Sequence, residues 1–337
     1  MTRFGYIDVD GILVPAWSEV GRAAIARRQN VEMQNQEWVG RLAPLVFGHY
    51  GWREGEVRTI ESAGTGIFVA PRFALSARHV SRSYELLDDQ FDAARRRSTY
   101  LDPKHVRKLV NKTKYSTLVY QLPYGYARPG DAMGPLEWPS PDAADSHVLV
   151  DLSSDHTDIT TLQTEPTSSG ALQVEKTQKF FEWQMLPPPV GAQVRIFGLP
   201  GTTILNHGDK HTVAFNVHGD VARVLSVSPV VQDCGFAKFP GFRLDREFEH
   251  GMSGAAVFYE DALVGIFSGP DYVAALWPLA IHSYVDVNLK ELQMSDLFDS
   301  GAIRVRDWAA VNGRVEHVPC EEAGIEDPCS KEHVILR

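Results

Sequence analysis

A serine between two glycines is the residue in this sequence best suited to nucleophilic chemistry. Ser253 lies within Gly-Met-Ser-Gly-Ala-Ala-Val-Phe, at residues 251–258. When a serine hydroxyl attacks a carbonyl, the oxyanion that forms needs preorganised N–H donors. Glycine permits a tight turn, so the N–H groups of Gly251 and Ser253 can point at one spot and form an oxyanion hole. The strand and Glu-Asp turn that follow, residues 255–268, predict a β-hairpin directly after the serine.

A serine nucleophile also needs a base within hydrogen-bond reach and a group that orients that base. His79 is the candidate base. It follows residues 64–77, which predict two strands joined by a turn at Pro71-Arg72. The elements that must position the chemistry are therefore strands and tight turns.

Four segments, in this order along the chain, resemble the trypsin-like serine peptidases, in the style of the bacterial HtrA-like members. Residues 64–80 resemble the strand pair and histidine turn, and residues 148–162 resemble a strand followed by Asp-Ile-Ala-Leu-Leu. Residues 189–200 resemble the opening of the second barrel, and residues 251–258 resemble Gly-Met-Ser-Gly-Gly-Pro-Val-Phe. The resemblance implies an all-β fold of two packed six-stranded antiparallel β-barrels, with an N-terminal and a C-terminal helix.

The resemblance also implies roles for the matched residues. Ser253 is the nucleophile, His79 the general base and then general acid, and Asp158 the carboxylate that orients the histidine. The N–H groups of Gly251 and Ser253 form the oxyanion hole. Asp155 is the second candidate for the carboxylate. The implied activity is peptide-bond hydrolysis through an acyl-enzyme, with a protein or peptide as substrate and no cofactor.

One departure from the family pattern bears on activity, and further matches to that pattern bear on specificity. Ala255 and Ala256 stand where glycine and proline are usual, which leaves a catalytically silent binding module as an alternative. Glu247 matches the floor of the primary specificity pocket, where a carboxylate would favour a basic substrate side chain. A charge on the pocket rim is the competing interpretation. Ser268 and Gly269 resemble the edge strand that pairs with the substrate backbone.

The chain divides into four predicted regions. Residues 1–41 form an extension with a helix at 17–39, and residues 42–170 form the first barrel, with a basic insertion at about 83–145. The second barrel comprises residues 171–286. Residues 287–337 hold a helix, predicted at 286–298, and an acidic tail.

Composition limits the partners. The 337 residues carry a formal net charge of −10, which argues against generic nucleic-acid binding. The exception is a basic stretch from Arg95 to Lys114, which could meet an acidic partner or form a solvated face. The sequence shows no signal peptide and no long apolar run, and it has only three cysteines. We therefore expect a cytoplasmic protein with no membrane partner, regulated by a protein that contacts the basic insertion or the N-terminal helix.

Two weaker patterns remain open. The first is a set of four residues that could bind zinc: His317, Cys320, Cys329 and His333. The alternative is that this segment is simply an acidic tail. The second is an α/β-hydrolase esterase, which needs the order Ser, Asp, His. Ser253 would then be followed by Asp286 or Asp299, and by His317 or His333. We favour the peptidase, because the chain lacks the alternating strands and helices of a parallel sheet.

Overall fold

The computed structural model describes most of both predicted barrels and much of the C-terminal region. The described residues are 6–9, 12–15, 42–50, 57–70, 72–81, 115–121, 136–138, 144–153, 156–166, 180–200, 203–207, 210–214, 218–228, 240–248, 251–285, 291–319 and 332–337. The helix predicted at 17–39 and the basic stretch from Arg95 to Lys114 lie outside these residues. The same holds for Asp155 and for the two tail cysteines.

A small antiparallel hairpin, β1 (Tyr6–Val9) and β2 (Ile12–Pro15), precedes the first barrel. The barrel strands are β3 (Leu42–Tyr50), β4 (Val57–Ala70), β5 (Phe73–Ala77), β6 (Tyr115–Gln121), β8 (Ala144–Ser153) and β9 (Ile159–Pro166). They close in the order β3-β4-β5-β9-β8-β6. Strand β6 is therefore a barrel strand, although it falls within the segment that the sequence assigned to an insertion. Strand β7 (Leu136–Trp138) pairs outside the barrel.

The second barrel is built in the same way. Its strands are β11 (Gln193–Gly198), β14 (His218–Ser228), β15 (Gly241–Leu244), β16 (Ala256–Tyr259), β17 (Ala262–Phe267) and β18 (Tyr272–Ala275). They pair antiparallel in the circuit β17-β16-β11-β14-β15-β18, and β18 returns to β17. Strand β10 (Glu182–Trp183) adds a parallel edge. Strands β12 (Thr203–His207) and β13 (Lys210–Ala214) pair with each other, and β13 also pairs with β7. The predicted fold of two six-stranded antiparallel barrels is confirmed.

Local chemistry accounts for the hairpin that follows Ser253. Glu260 and Asp261, which link β16 to β17, have φ values of 46° and 67°. Two successive residues with positive φ give a two-residue turn whose twist matches the flanking strands. The hairpin predicted from the sequence is therefore present, and it fixes the direction in which the chain leaves the serine turn.

The C-terminal region contains more strand than the sequence analysis predicted. The elements after the second barrel are a 3-10 helix (Trp277–Ile281), β19 (Ser283–Val285), β20 (Glu291–Gln293), α2 (Met294–Asp299), α3 (Trp308–Val311), β21 (Val315–Pro319) and β22 (Glu332–Leu336). Helix α2 is shorter than the helix predicted at 286–298, because residues 291–293 pair with β19. A capping box between Gln293 and Asp296 starts the helix. The acidic tail is bounded by two strands that pair as an antiparallel hairpin.

Buried side chains join this C-terminal region to the barrels. One hydrophobic cluster includes Ile67 and Leu75 of the first barrel, Trp277 of the 3-10 helix, and Val315 and Val334 of the hairpin. In addition, the carboxylate of Asp307 accepts hydrogen bonds from the N–H groups of Met185 and Leu186, each at 2.8 Å. Within the described part of the chain, no helix combines the length and apolar character that crossing a membrane requires.

Candidate active site

Ser253 lies in a tight turn that two glycines make possible. Gly251 and Gly254 have φ values of 96° and 87°, in the region that L side chains rarely adopt. The N–H of Ala255 donates to the Met252 carbonyl at 2.8 Å, and the N–H of Gly254 donates to the Phe267 carbonyl at 2.8 Å. The second bond ties the serine turn to the end of β17.

The same turn rests on the first barrel. The N–H of Thr65 donates to the Ser253 carbonyl at 3.0 Å. A Cβ placed on Gly254 would lie 1.8 Å from the Thr65 carbonyl oxygen and 2.6 Å from the Ser76 hydroxyl oxygen. Glycine is therefore required here by a close approach as well as by its φ value.

The backbone around Ser253 leaves two donors available. Neither the N–H of Gly251 nor that of Ser253 donates to a backbone carbonyl of the described residues. A chemical role for two such neighbouring donors is the stabilisation of an oxyanion on a bound carbonyl. This arrangement suits the oxyanion hole that the sequence predicts at these positions.

His79 and Asp158 are in direct contact. Helix α1 (Arg78–Ser81) begins immediately after β5, which places His79 at the mouth of the first barrel. Its Nδ1 lies 2.7 Å from Asp158 Oδ2, and its backbone N–H donates to Asp158 Oδ1 at 3.1 Å. The His79 side chain is 38% exposed and that of Asp158 is 8% exposed. With Nδ1 donating to the carboxylate, Nε2 carries the lone pair that a general base needs.

Two further contacts hold Asp158. Its carbonyl accepts a hydrogen bond from the N–H of Arg78 at 2.7 Å. Its Oδ2 also accepts a short hydrogen bond from the Ser268 hydroxyl. The sequence analysis assigned Ser268 only a substrate-backbone contact and missed this one. The two residues are 110 positions apart, so no local pattern signals the contact.

Ser253 and His79 come from different barrels but flank the same glycine. A Cβ on Gly64 would lie 2.9 Å from the Ser253 carbonyl oxygen and 2.9 Å from Cγ1 of Val80, the residue after His79. The absence of a side chain at Gly64 therefore lets the serine turn and the histidine helix approach one another. The turn of the candidate nucleophile and the helix of the candidate base thus come together at Gly64.

The two alanines after the serine turn are accommodated without positive φ. Ala255 and Ala256 are fully buried. A Cβ on Gly198 would lie 2.7 Å from the Ala255 Cβ and 2.9 Å from the Met252 sulfur. Gly198 thus leaves the space that the Ala255 methyl group occupies, and the turn keeps its contacts to Thr65 and Phe267.

Glu247 is exposed, as the interpretation of a rim charge expects. The neighbouring Arg246 pairs with Asp220 at 3.1 Å and so has a partner other than Glu247. The next residue, Phe248, is half-buried and contacts the ring of Phe267 edge to face, with centroids 5.2 Å apart. The structure therefore places an exposed carboxylate, followed by a half-buried aromatic ring, in this part of the chain.

Ser268 and Gly269 extend from β17 towards β18. The N–H groups of both residues donate to the Tyr272 carbonyl, at 2.8 and 3.2 Å. Their carbonyl oxygens are then the groups that could accept a hydrogen bond from a substrate N–H. Of the predicted contacts with the substrate backbone, those in which these two residues accept a hydrogen bond are therefore the ones left available.

The tail histidines do not form a pair. His317 lies opposite Val334 and His333 lies opposite Val318 in the β21–β22 register. Since alternate residues of a strand point to opposite faces, His317 and His333 lie on opposite faces of the hairpin. Among the described residues, no group of three or more His, Cys, Asp or Glu side chains has the geometry to hold a metal ion.

The alternative of an α/β-hydrolase esterase is excluded by the fold. That class places its serine between a strand and a helix of a parallel sheet. Here Ser253 is followed by strand β16 of an antiparallel barrel. Asp299 instead accepts a hydrogen bond from the Trp308 indole at 2.7 Å.

Comparisons with known proteins complete the description. No protein-family model matches the chain, and no curated protein sequence matches it. One similar solved structure is mouse neuropsin, described as a serine protease expressed in the limbic system of mouse brain. The two chains are 15% identical, and the TM-score is 0.38. The match covers 74% of this chain and 93% of the neuropsin chain. The strand pairings of the chain itself carry the assignment of the fold.

Proposed function

We propose that the chain is a serine endopeptidase of the trypsin-like type. Ser253 acts as nucleophile, His79 as general base and Asp158 as the orienting carboxylate. The observation that carries the proposal is the hydrogen bond between His79 Nδ1 and Asp158 Oδ2, beside the Ser253 turn that approaches the histidine helix at Gly64. A carboxylate, an imidazole and a serine from three distant segments are the parts that acyl transfer requires.

The proposed reaction proceeds in two halves. Nε2 of His79 takes the proton of the Ser253 hydroxyl as its oxygen attacks the scissile carbonyl, and Asp158 stabilises the imidazolium that forms. The N–H groups of Gly251 and Ser253 receive the oxyanion. His79 then gives its proton to the leaving amine, and a water molecule, activated by His79, releases the acyl group from Ser253.

Substrate selection follows from the groups that line the cleft. The carbonyl oxygens of Ser268 and Gly269 would accept hydrogen bonds from the substrate backbone, which gives affinity without side-chain information. The half-buried Phe248, which packs on the core residue Phe267, favours an apolar side chain next to the scissile bond over the basic one that Glu247 suggested. We further propose that the enzyme acts inside the cell under the control of a protein partner. Vigorous cleavage of unrelated unfolded proteins by the purified chain would argue against such control.

A fluorophosphonate probe tests the proposal, because it reacts with a serine only where a base and an oxyanion hole activate it. We expect labelling of the wild type and none of Ser253→Ala or His79→Ala. Ser300→Ala, which removes an exposed hydroxyl outside the cleft, is the matched control and should label like the wild type. A folded wild type that does not label would favour the silent binding module. Comparing peptide amides with simple esters would then separate a peptidase from an esterase on the same fold.

A further inference from the structure

Three histidines meet beside the turn that carries Asp158. His156 lies two residues before Asp158, His282 follows the 3-10 helix, and His317 lies on β21. The rings of His156 and His317 contact edge to face, with centroids 4.6 Å apart and planes at 70°. The cluster therefore joins the first barrel to the C-terminal hairpin of β21 and β22.

His282 is the buried member of this histidine cluster, with 8% of its surface exposed. Its N–H donates to the Leu279 carbonyl at 3.0 Å, and its carbonyl accepts from the N–H of Met294 at 2.8 Å. No hydrogen-bond partner for its Nε2 is found among the described residues. Burial, followed by the nearby His156, His317 and Arg78, lowers the pKa of His282 to about 3. Its imidazole is therefore neutral in the seated structure at physiological pH.

No carboxylate is among the groups that shift the pKa of His282. The groups that influence His282 are His156, His317 and the buried Arg78, all of them neutral or cationic. The nearest described carboxylate along the chain, Asp158, is already bonded to His79 and Ser268. The other titratable or charged groups described on the elements around His282 are Glu316 of β21, His333 of β22, and Asp296 and Asp299 of α2. A proton added to His282 is therefore disfavoured by a buried guanidinium and by the other imidazoles.

The turn at residues 156–158 connects the cluster to the candidate active site. Thr157 is fully buried, and its hydroxyl accepts a hydrogen bond from the Ile159 N–H at 3.2 Å. Asp158 follows directly and is bonded through its carbonyl to Arg78. A displacement of His156 is therefore passed to the carboxylate that contacts His79.

We propose that His156, His282 and His317 are positioning residues for Asp158. While His282 is neutral, the C-terminal hairpin is seated against the cluster and holds the turn at 156–158. Proton uptake by His282 releases the hairpin, and the carboxylate loses its fixed position. The catalytic consequence rests on the proposed function, whereas the seating of the hairpin does not.

The expected size of the effect follows from linkage. A histidine that is neutral when seated, with an ordinary pKa when released, lowers the ratio of seated to released hairpin about tenfold per pH unit below about 6.5. At about pH 5 the ratio falls roughly thirtyfold for His282 alone. A single protonation gives a first-order loss of activity, so proton uptake by His282 in addition predicts a steeper acid limb than one proton can produce.

Three variants separate the cluster from general packing. His282→Phe keeps a ring in the buried position but removes the group whose pKa is lowered there, and we expect it to flatten the acid limb. His282→Lys places an amine with an ordinary pKa of about 10.4 in the same buried position, and we expect it to favour the released state even at about pH 8, since seating then requires the amine to be buried with its proton or to lose it. His218→Phe, a histidine on β14 in the second barrel, is the matched control and should leave the profile unchanged.

Two readouts report the cluster without requiring activity. The proton between His79 Nδ1 and Asp158 gives its own NMR resonance, and amide exchange of residues 315–319 and 332–336 reports the seating of the hairpin. We expect both to change with acidification in the wild type, to resist it in His282→Phe, and to be altered already at neutral pH in His282→Lys. Identical pH dependence in the wild type, His282→Phe and His282→Lys would overturn the positioning role, even if the fluorophosphonate labels Ser253 normally. If no protein labels at any pH, the proposed function fails, while resonance and exchange still decide whether the cluster positions Asp158.

Discussion

The substitution Gly254→Ala tests how the serine turn is held against the first barrel. The new methyl group would lie 1.8 Å from the Thr65 carbonyl oxygen, whereas ordinary contacts begin near 3.4 Å. The turn must therefore move by more than an ångström, or the barrels must separate. Positive φ adds roughly 1–2 kcal/mol of backbone strain.

The expected effect on chemistry is large, because Ser253 moves with its neighbour. A misplacement of about 1 Å costs a catalytic site on the order of 10²-fold in rate. We therefore expect the second-order rate of fluorophosphonate labelling to fall by about 10² or more. We also expect the free energy of unfolding to fall by about 2–4 kcal/mol, from strain and overpacking together.

Gly191→Ala is the matched control. Gly191 has a φ of 85°, close to that of Gly254, yet a Cβ there would meet nothing within 4 Å. It should lose roughly 1–2 kcal/mol of stability from the same strain and keep the wild-type rate of labelling. Equal labelling rates for the two variants would refute the view that the contact of Gly254 with Thr65 holds the nucleophile in place.

Three other predictions concern the site, the fold and pH. Asp158→Asn should lower kcat by about 10⁴ while leaving the fold intact, since the amide orients the wrong tautomer of His79; a loss under tenfold would contradict its role. Asp307→Ala leaves two backbone N–H groups after β10 without their acceptor and should lower the free energy of unfolding in denaturant by about 2–4 kcal/mol. The control Glu316→Ala removes the carboxylate of an exposed ion pair and should lower it by less than about 1 kcal/mol. His282 has a folded-state pKa of about 3, below its ordinary 6.5, so its contribution to stability is full above pH 6.5 and is lost as pH falls towards 3. The loss should reach about 2 kcal/mol at pH 5, and His282→Phe should lack this component; an unchanged pH profile of its unfolding free energy would contradict the assignment.

Sequence patterns predicted the parts of this molecule that depend on neighbouring residues. Period-two alternation and turn residues gave the strand pair before His79 and the hairpin after Ser253, because both are set within about twenty residues. The two-barrel architecture was implied by the resemblance of four segments to the trypsin-like serine peptidases. For Asp158, the apolar pattern that follows it pointed to the carboxylate that contacts His79.

Contacts between distant segments were beyond these patterns. The bond from Ser268 to Asp158 and the meeting of His156, His282 and His317 bring together residues from separate parts of the chain, and only the closed barrels make them neighbours. The exposure of Glu247 is likewise a tertiary property.

The C-terminal region was misjudged for a different reason. The acidic residues between 320 and 328 dominated the composition, while the short apolar strands on either side carry the structure. Val315 and Val334 are buried on the same face of that hairpin. Their spacing around an acidic run was the available signal for paired strands.

The most direct measurement of the central claim is the site of acylation. The wild type would be mixed with an activated peptide ester, quenched in acid during the first turnovers, digested, and mapped by mass spectrometry. We predict one acyl group per chain, attached to Ser253 and absent from His79→Ala. An acyl group on another residue, or steady hydrolysis by the Ser253→Ala protein at the wild-type rate, would contradict the assignment of Ser253 as the nucleophile.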